Sequence, residues 1–229
     1  MKKEIDIIIG AYGSGKSEYS INYACKMKQK GFPVSLVDLD VVNPYFRSRE
    51  VRDQFDNIDI DMVAPDKEFN HAHMPMLSPR IMGAVQNFDR LIILDVGGDP
   101  AGCRTLARYI NNIKIRGYSL QVVINTSRPF TSSIAGMEEM LDNLEFSSKL
   151  KITELICNTN LMEFTDAALV KHGIDMIDEV AQKRNIKFDK YLVMDKFEDA
   201  IPDGINGKKR FVMQYFLNKP WEKVNKKVI

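Results

Sequence analysis

The sequence predicts a three-layer α/β fold, in which a mainly parallel sheet of about seven strands carries helices on both faces. Two patterns in the 229-residue chain predict this fold. Short apolar runs recur along the chain, and longer segments with one polar face separate them. Such alternation is typical of parallel strands joined by helical crossovers. Because ligands bind at the carboxyl ends of parallel strands, we expect function in the loops that follow the apolar runs.

The apolar runs give the predicted strands and the amphipathic segments give the predicted helices. The strands are expected at Ile5–Ile9, Val34–Val37, Ile58–Val63, Leu91–Leu94, Leu120–Ile124, Ile152–Cys157 and Tyr191–Met194. The helices are expected at Lys16–Lys30, Arg104–Arg116, Ser132–Phe146 and Asp166–Arg184. The proline-marked stretch from Ala64 to Pro79 predicts a long surface loop.

Composition sets the broad class of the protein. With 45% hydrophobic residues the chain can bury one core, so we predict a single domain over residues 1–229 with a short basic tail at 219–229. The 32 basic and 31 acidic residues give a net charge of +1, which is no signal for a nucleic-acid or membrane partner. The three cysteines are far apart and lack metal-ligand spacing, so a reducing compartment, the cytoplasm, is expected.

The strongest motif is G-x-x-x-x-G-K-[ST], which lies directly after the first strand and before the first helix. Backbone N–H groups of such a loop surround phosphate oxygens, the lysine reaches the terminal phosphates, and the serine hydroxyl binds Mg²⁺. The alternative, a glycine-rich turn that binds nothing, does not explain the lysine and serine. We therefore predict nucleotide binding by Gly10, Tyr12, Gly13, Ser14, Gly15, Lys16 and Ser17, with Lys16 also catalytic.

A second motif closes a later strand. Leu91–Leu94 is followed by Asp95 and, after Val96, by two glycines. Asp95 is predicted to hold Mg²⁺ or its water ligands, and Gly98 to offer its N–H to the γ-phosphate. An ordinary turn with an acidic first residue is the alternative.

A third motif places two acids at the end of the second strand. Asp38 and Asp40 alternate, so their carboxylates share one face. Two acids beside a triphosphate repel it unless a metal stands between them, so we predict that both serve Mg²⁺ and that Asp40 orients the attacking water. Solvated acids are the alternative. Arg47 and Arg49 follow and could neutralise phosphate charge.

These three motifs in this order resemble the MinD/ParA/nitrogenase-iron-protein branch of P-loop NTPases. The segment Leu155-Ile156-Cys157-Asn158 is similar to the base-reading element of that branch, so the resemblance implies that Asn158 contacts adenine. Guanine-specific relatives place an Asp where Leu161 stands here, so ATP is expected rather than GTP. Asn125 could also line the base pocket, with a turn as the simpler interpretation.

The resemblance implies an ATP hydrolase that binds ATP and Mg²⁺ and switches conformation for an unidentified partner. It leaves a homodimer open, although the signature lysine of MinD and ParA is replaced by Ala11. The alternative is an ATP-dependent small-molecule kinase or ligase of the dethiobiotin-synthetase type, whose loop also lacks that lysine. A third alternative is a regulator that binds ATP without cleaving it.

One further cluster could bind a metal. His71, His73, Met74 and Met76 lie within six residues and could hold copper or nickel. A proline-marked loop whose methionines pack inward is the favoured interpretation, because two histidines alone do not fill a coordination sphere.

Overall fold

The computed structural model describes residues 4–40, 58–63 and 79–217. Over these ranges the chain forms one sheet with the strand order β3-β2-β4-β1-β5-β6-β7-β9-β8. The strands are β1 (Ile5–Ile9), β2 (Val34–Asp38), β3 (Ile60–Val63), β4 (Leu91–Asp95), β5 (Tyr118–Ile124), β6 (Glu154–Cys157), β7 (Lys187–Met194), β8 (Gly204–Ile205) and β9 (Lys208–Met213). Every pair of neighbouring strands is parallel except β8 and β9.

The helices cover both faces of this sheet. They are α1 (Lys16–Gln29), α2 (Pro79–Gln86), α3 (Pro100–Ala107), α4 (Ile110–Arg116), α5 (Ile134–Ser148) and α6 (Ala167–Arg184). Helix α1 packs on one face, where Tyr19 and Ile21 are fully buried with Ile8 of β1. The helices α2 to α6 contribute to the core on the other face, together with Ile7 and Ile9 of β1.

Strand β1 lies in the middle of the sheet, between β4 and β5. All five of its residues are buried, as expected for a central parallel strand with helices on both faces. The predicted three-layer α/β fold is confirmed, and the loop after β1 therefore starts at the centre of the carboxyl edge.

The sheet is larger than predicted, since nine strands rather than seven occur in the described part of the chain. The missed pair is the β8–β9 hairpin. Its turn is Asn206-Gly207, and both residues have positive φ angles, 50° and 74°. Asn-Gly is a strong signal for this type of hairpin turn. The charged start of β9, Lys208-Lys209-Arg210, breaks the apolar pattern that indicates a strand.

The predicted helix Arg104–Arg116 was also wrong, because two helices, α3 and α4, occupy this region. Helix α3 begins at Pro100, and Asp99 caps it by accepting a 2.9 Å hydrogen bond from the Gly102 N–H. The chain turns between the two helices, which places the Tyr109 ring in the core with 3% of its surface exposed. In the described part of the chain, no helix has the length and apolar character needed to cross a membrane.

Candidate functional site

The glycine-rich loop joins β1 to α1 at the centre of the sheet. Gly13 and Gly15 have φ angles of 75° and 86°, a region that favours glycine. Helix α1 begins at Lys16, directly after Gly15. The free N–H groups of its first turn therefore lie at the loop, where they can bind an anion. Buried Ser14 Oγ has no hydrogen-bond partner among the described residues, as expected for a group that a ligand would satisfy.

Lys16 lies among acidic side chains. Its Nζ is 2.8 Å from Asp40 Oδ2, and both side chains are almost fully buried. Burial by itself lowers the pKa of the Lys16 ammonium group. The negative charges of Asp95, Asp40 and Asp38 outweigh burial, so that pKa lies above its usual value. The surrounding carboxylates therefore favour the ammonium form of Lys16 at the end of the loop.

The two acidic strand ends meet because β2 and β4 are neighbours. Asp38 is the register partner of Asp95, and Asp95 also pairs with Ile8 of β1. The Leu39 N–H donates to the Asp95 carbonyl at 2.8 Å, and the Asp40 N–H donates to Asp38 Oδ1 at 3.0 Å. The structure thus brings Asp38, Asp40 and Asp95 to one place, and their binding of Mg²⁺ stays a prediction.

Asp95 is fully buried beside two hydroxyl groups. Burial raises the pKa of its carboxyl group, although Lys16 and hydrogen bonds from Ser17 and Ser20 oppose this shift. The Ser20 hydroxyl lies 3.3 Å from Asp95 Oδ1. Burial disfavours the negative charge of this carboxylate, so a cation placed beside it would stabilise the charged form.

The cluster fits Mg²⁺ that arrives with a nucleotide better than a resident metal. Three carboxylates, Asp38, Asp40 and Asp95, face a single ammonium group, so a divalent cation would balance the charge. Among the described residues, however, no group of three or more His, Cys, Asp or Glu side chains is arranged to hold a metal ion. Mg²⁺ needs only one or two protein ligands, because waters and phosphates supply the others.

The segment after β4 lies against the phosphate loop. A Cβ atom added to Gly98 would overlap the carbonyl oxygen of Gly10, so only glycine allows this approach. A Cβ atom on Gly97 would lie about 3.1 Å from Asp40 Oδ1 and 3.0 Å from Asp99 Oδ2. The two glycines therefore let the backbone after β4 reach both the loop and Asp40.

The two strand-end asparagines have different surroundings. Asn158 Nδ2 donates to the Ser14 carbonyl at 2.6 Å, so this side chain braces the loop. Asn125 Oδ1 accepts hydrogen bonds from the N–H groups of Ser127 and Asn160, at 3.0 and 3.2 Å. These contacts are those of a turn residue. Contact between Asn158 and a base stays a prediction.

Sequence reasoning missed Arg128, whose Nε donates to the Gly13 carbonyl at 3.2 Å. Arg128 follows β5, and β5 is the neighbour of β1 in the sheet. The polar run Asn125 to Arg128 after an apolar strand was visible in the sequence, but the order of strands in the sheet was not.

A pocket of about 580 Å³ opens beside Lys16. Its walls come from the start of the loop, from the segment after β4 and from one side of α5. The side chains of Tyr12 and Phe130 line it and are 69% and 82% exposed. The sequence did not predict this pocket, because the approach of α5 to the loop depends on tertiary packing, in which α3 lies against α5.

Several predicted features lie outside the described residues. They are Arg47, Arg49, the cluster His71, His73, Met74 and Met76, and the basic tail at 219–229. The three cysteines are free, and Cys103 and Cys157 are buried.

The sheet order and the phosphate loop between a central strand and its helix define the P-loop NTPase fold. Solved structures similar to this chain support this class. FtsY from Mycoplasma mycoides has a TM-score of 0.55 and 18% identity, over 81% of this chain and 58% of that one. Cell division protein FtsY from Thermotoga maritima has a TM-score of 0.57 and 15% identity, over 87% and 64%.

A third similar structure is the signal recognition particle 54 kDa protein from Aeropyrum pernix K1 in complex with GDP. Its TM-score is 0.54 and its identity 16%, over 82% of this chain and 41% of that one. This chain thus spans 41 to 64% of the length of the three structures, and at such identities the likeness shows the fold. No family model matches the chain, and no curated protein matches it.

Proposed function

We propose that this protein is a Mg-ATP-binding ATPase of the MinD/ParA-like branch, which uses its nucleotide cycle as a switch for an unidentified cytoplasmic partner. The observation that carries the proposal is the buried ion pair between Lys16 and Asp40, 2.8 Å apart, at the end of a phosphate loop. A buried lysine held by a carboxylate can exchange that partner for a phosphate when a nucleotide binds.

Each residue of the site has a proposed role that follows from its chemistry. The backbone N–H groups from Gly13 to Ser17 bind the phosphates, and the Lys16 ammonium group neutralises charge that develops on the γ-phosphate. The Ser17 hydroxyl and Asp95 would hold Mg²⁺, with Asp38 nearby to hold its water ligands. When bound there, Mg²⁺ would neutralise negative charge on the phosphates. Asp40, released from Lys16, orients the attacking water.

The segment after β4 is the proposed switch. Gly98 lies against Gly10 and would donate its N–H to the γ-phosphate. The Asp99 carbonyl accepts the Cys103 N–H at 3.0 Å, so a shift of this segment moves the start of α3. Helix α3 packs on α5. Loss of the γ-phosphate would therefore change a surface formed by α3 and α5.

ATP is proposed rather than GTP because of the residue at position 161. A guanine base presents two N–H donors that a carboxylate satisfies, and Leu161 is an apolar side chain that is 45% exposed. The GDP in the Aeropyrum pernix structure belongs to that protein and keeps GTP as the alternative to test.

A second candidate is an ATP-dependent kinase or ligase of the dethiobiotin-synthetase type. The pocket beside Lys16 favours it, because an acceptor bound there would lie next to the γ-phosphate. Release of ADP in proportion to a new product, when the acceptor is added, distinguishes this activity from hydrolysis.

The proposal is tested with two variants of the ion pair. We expect Lys16→Ala to abolish ATP binding, and Asp40→Ala to bind ATP without hydrolysing it, by calorimetry and phosphate release. Lys30→Ala, an exposed lysine directly after α1, is the control and should keep both activities. Turnover like that of the wild type in Lys16→Ala or Asp40→Ala would refute the assignment.

A further inference from the structure

The pocket beside Lys16 extends from the phosphate loop towards α5. Its lining takes Ala11, Tyr12 and Lys16 from the loop but none of the residues from Gly13 to Gly15. Phosphates bound by the backbone of Gly13, Ser14 and Gly15 would therefore lie at the edge of the pocket, towards Lys16 and Gly98. Lys16 and Gly98 are shared, since both line the pocket and both are proposed to contact the terminal phosphate. The pocket is thus placed for a second ligand beside the nucleotide.

The volume of the pocket suits a small molecule. Its volume of about 580 Å³ lies within the range of about 300 to 1,000 Å³ that is usual for small-molecule sites. Met140 and Leu144 of α5 supply an apolar wall, and Cys103 of α3 adds to it. The apolar part of a ligand could pack against this wall.

The polar groups of the lining indicate the charge of that ligand. Asp99 and Glu139 are acidic, and the aromatic side chains of Tyr12 and Phe130, which also line the pocket, are largely exposed. Carboxylates and aromatic faces both attract organic cations. Among the described lining residues, Lys16 is the one basic side chain, and its charge is paired with Asp40. The lining therefore favours a cation over an anion.

We propose that this pocket binds a small organic amine with an apolar chain or ring, next to the γ-phosphate position. The ammonium group lies between Glu139 and Asp99, against the aromatic rings, and the apolar part contacts Met140 and Leu144. The inference rests on the proposed function only for the position of the γ-phosphate. The two groups that would bind the ammonium, Asp99 and Glu139, are not among the residues proposed to bind phosphate, although the pocket also includes Lys16 and Gly98, which are.

The test uses two probes of equal length and opposite charge, hexylamine and hexanoate, with binding followed by NMR chemical-shift changes of the full chain. We expect hexylamine to bind about tenfold more tightly than hexanoate. Glu139→Gln should remove most of this preference, and Glu138→Gln, one position away and outside the lining, should keep it. Equal binding of both probes, or no effect of Glu139→Gln, would overturn the proposal.

Filling the pocket gives an independent readout. Asn143 lines the pocket and is exposed, so Asn143→Trp should block hexylamine without disturbing the core. Phe146→Trp, on the same helix and outside the lining, is the matched control. Lys16→Ala separates the two proposals, since it should lose ATP and keep hexylamine. If the wild type binds ATP but not hexylamine, the amine site is contradicted and the ATPase proposal stands. If it binds hexylamine but not ATP, the ATPase proposal is contradicted and the amine site stands.

Discussion

Asn158 donates a hydrogen bond of 2.6 Å from Nδ2 to the carbonyl oxygen of Ser14, and so ties the end of β6 to the phosphate loop. Strand β6 is two positions away from β1 in the sheet, with β5 between them. A Cβ atom on Gly15 would overlap the Asn158 amide. The loop is therefore held from outside by a buried side chain, in addition to the local preferences of its glycines.

The Asn158 brace predicts the effect of its removal. Asn158→Ala should lower the free energy of unfolding by about 1 to 2 kcal/mol, because it deletes a buried hydrogen bond and leaves the Ser14 carbonyl without that donor. It should also lower the affinities for ATP and for GTP by similar factors, because the same loop would bind the phosphates of both nucleotides. Denaturant unfolding and calorimetry measure the two effects, with exposed Asn111→Ala as the control.

The same variant also tests the base-reading role that the resemblance implies. If Asn158 reads adenine, the ratio of ATP to GTP affinity must change, whereas a brace changes both affinities together. An Asn158→Ala protein with unaltered stability and unaltered affinities would rule out both roles.

Gly98 gives the second prediction. Gly98→Ala should reduce nucleotide affinity about tenfold or more, because the added Cβ overlaps the Gly10 carbonyl and forces the segment after β4 away from the loop. Gly83→Ala is the matched control, since Gly83 lies in α2 and its added Cβ would meet open space. This control should stabilise the protein by about 0.5 to 1 kcal/mol, as alanine does in a helix. Equal affinity in the two variants would argue against the contact.

Glu18 predicts a pH dependence of stability. Its carboxylate accepts the N–H groups of Phe216 at 2.5 Å and Leu217 at 3.3 Å, which ties the first turn of α1 to the segment after β9. Burial raises the pKa of Glu18 from 4.5 to about 7, although these two hydrogen bonds oppose the shift. The folded state therefore holds this proton more tightly than the unfolded state does.

The stabilisation from that proton is complete below pH 4.5 and is lost as the pH rises through about 7. Glu18→Gln has no proton to lose, so its Tm relative to the wild type should rise between pH 5 and pH 8. Scanning calorimetry at the two pH values measures this difference. A Tm difference that stays constant, or falls with pH, would mean that Glu18 ionises normally in the folded chain.

Much of the fold could be predicted from the sequence. Apolar runs indicate buried parallel strands even when the order of the strands in the sheet is unknown. The Gly10 to Ser17 loop was equally clear, since its residue types serve one local geometry. The hairpin of β8 and β9 was missed because Lys208 and Lys209 mask the strand pattern at the edge of the sheet. The Asn206-Gly207 turn was the signal that could have revealed it.

The residues of the site could be predicted from the sequence, but the order of the strands that brings them together could not. Asp38, Asp40 and Asp95 could each be recognised at a strand end, but their meeting depends on β2 lying beside β4. The contacts of Arg128 with Gly13 and of Asn158 with Ser14 depend on tertiary packing over more than 100 residues of sequence. No local pattern encodes such contacts, and the pocket beside α5 was hidden for the same reason.

The central claim is that the loop from Gly10 to Ser17 binds Mg-ATP. It is tested most directly by calorimetric titration of the wild type with Mg-ATP and Mg-GTP, with Lys16→Ala titrated in parallel. We expect the wild type to bind ATP at least about tenfold more tightly than GTP, and Lys16→Ala to bind neither. Tighter binding of GTP would contradict the ATP assignment, and undiminished ATP binding by Lys16→Ala would contradict the site itself.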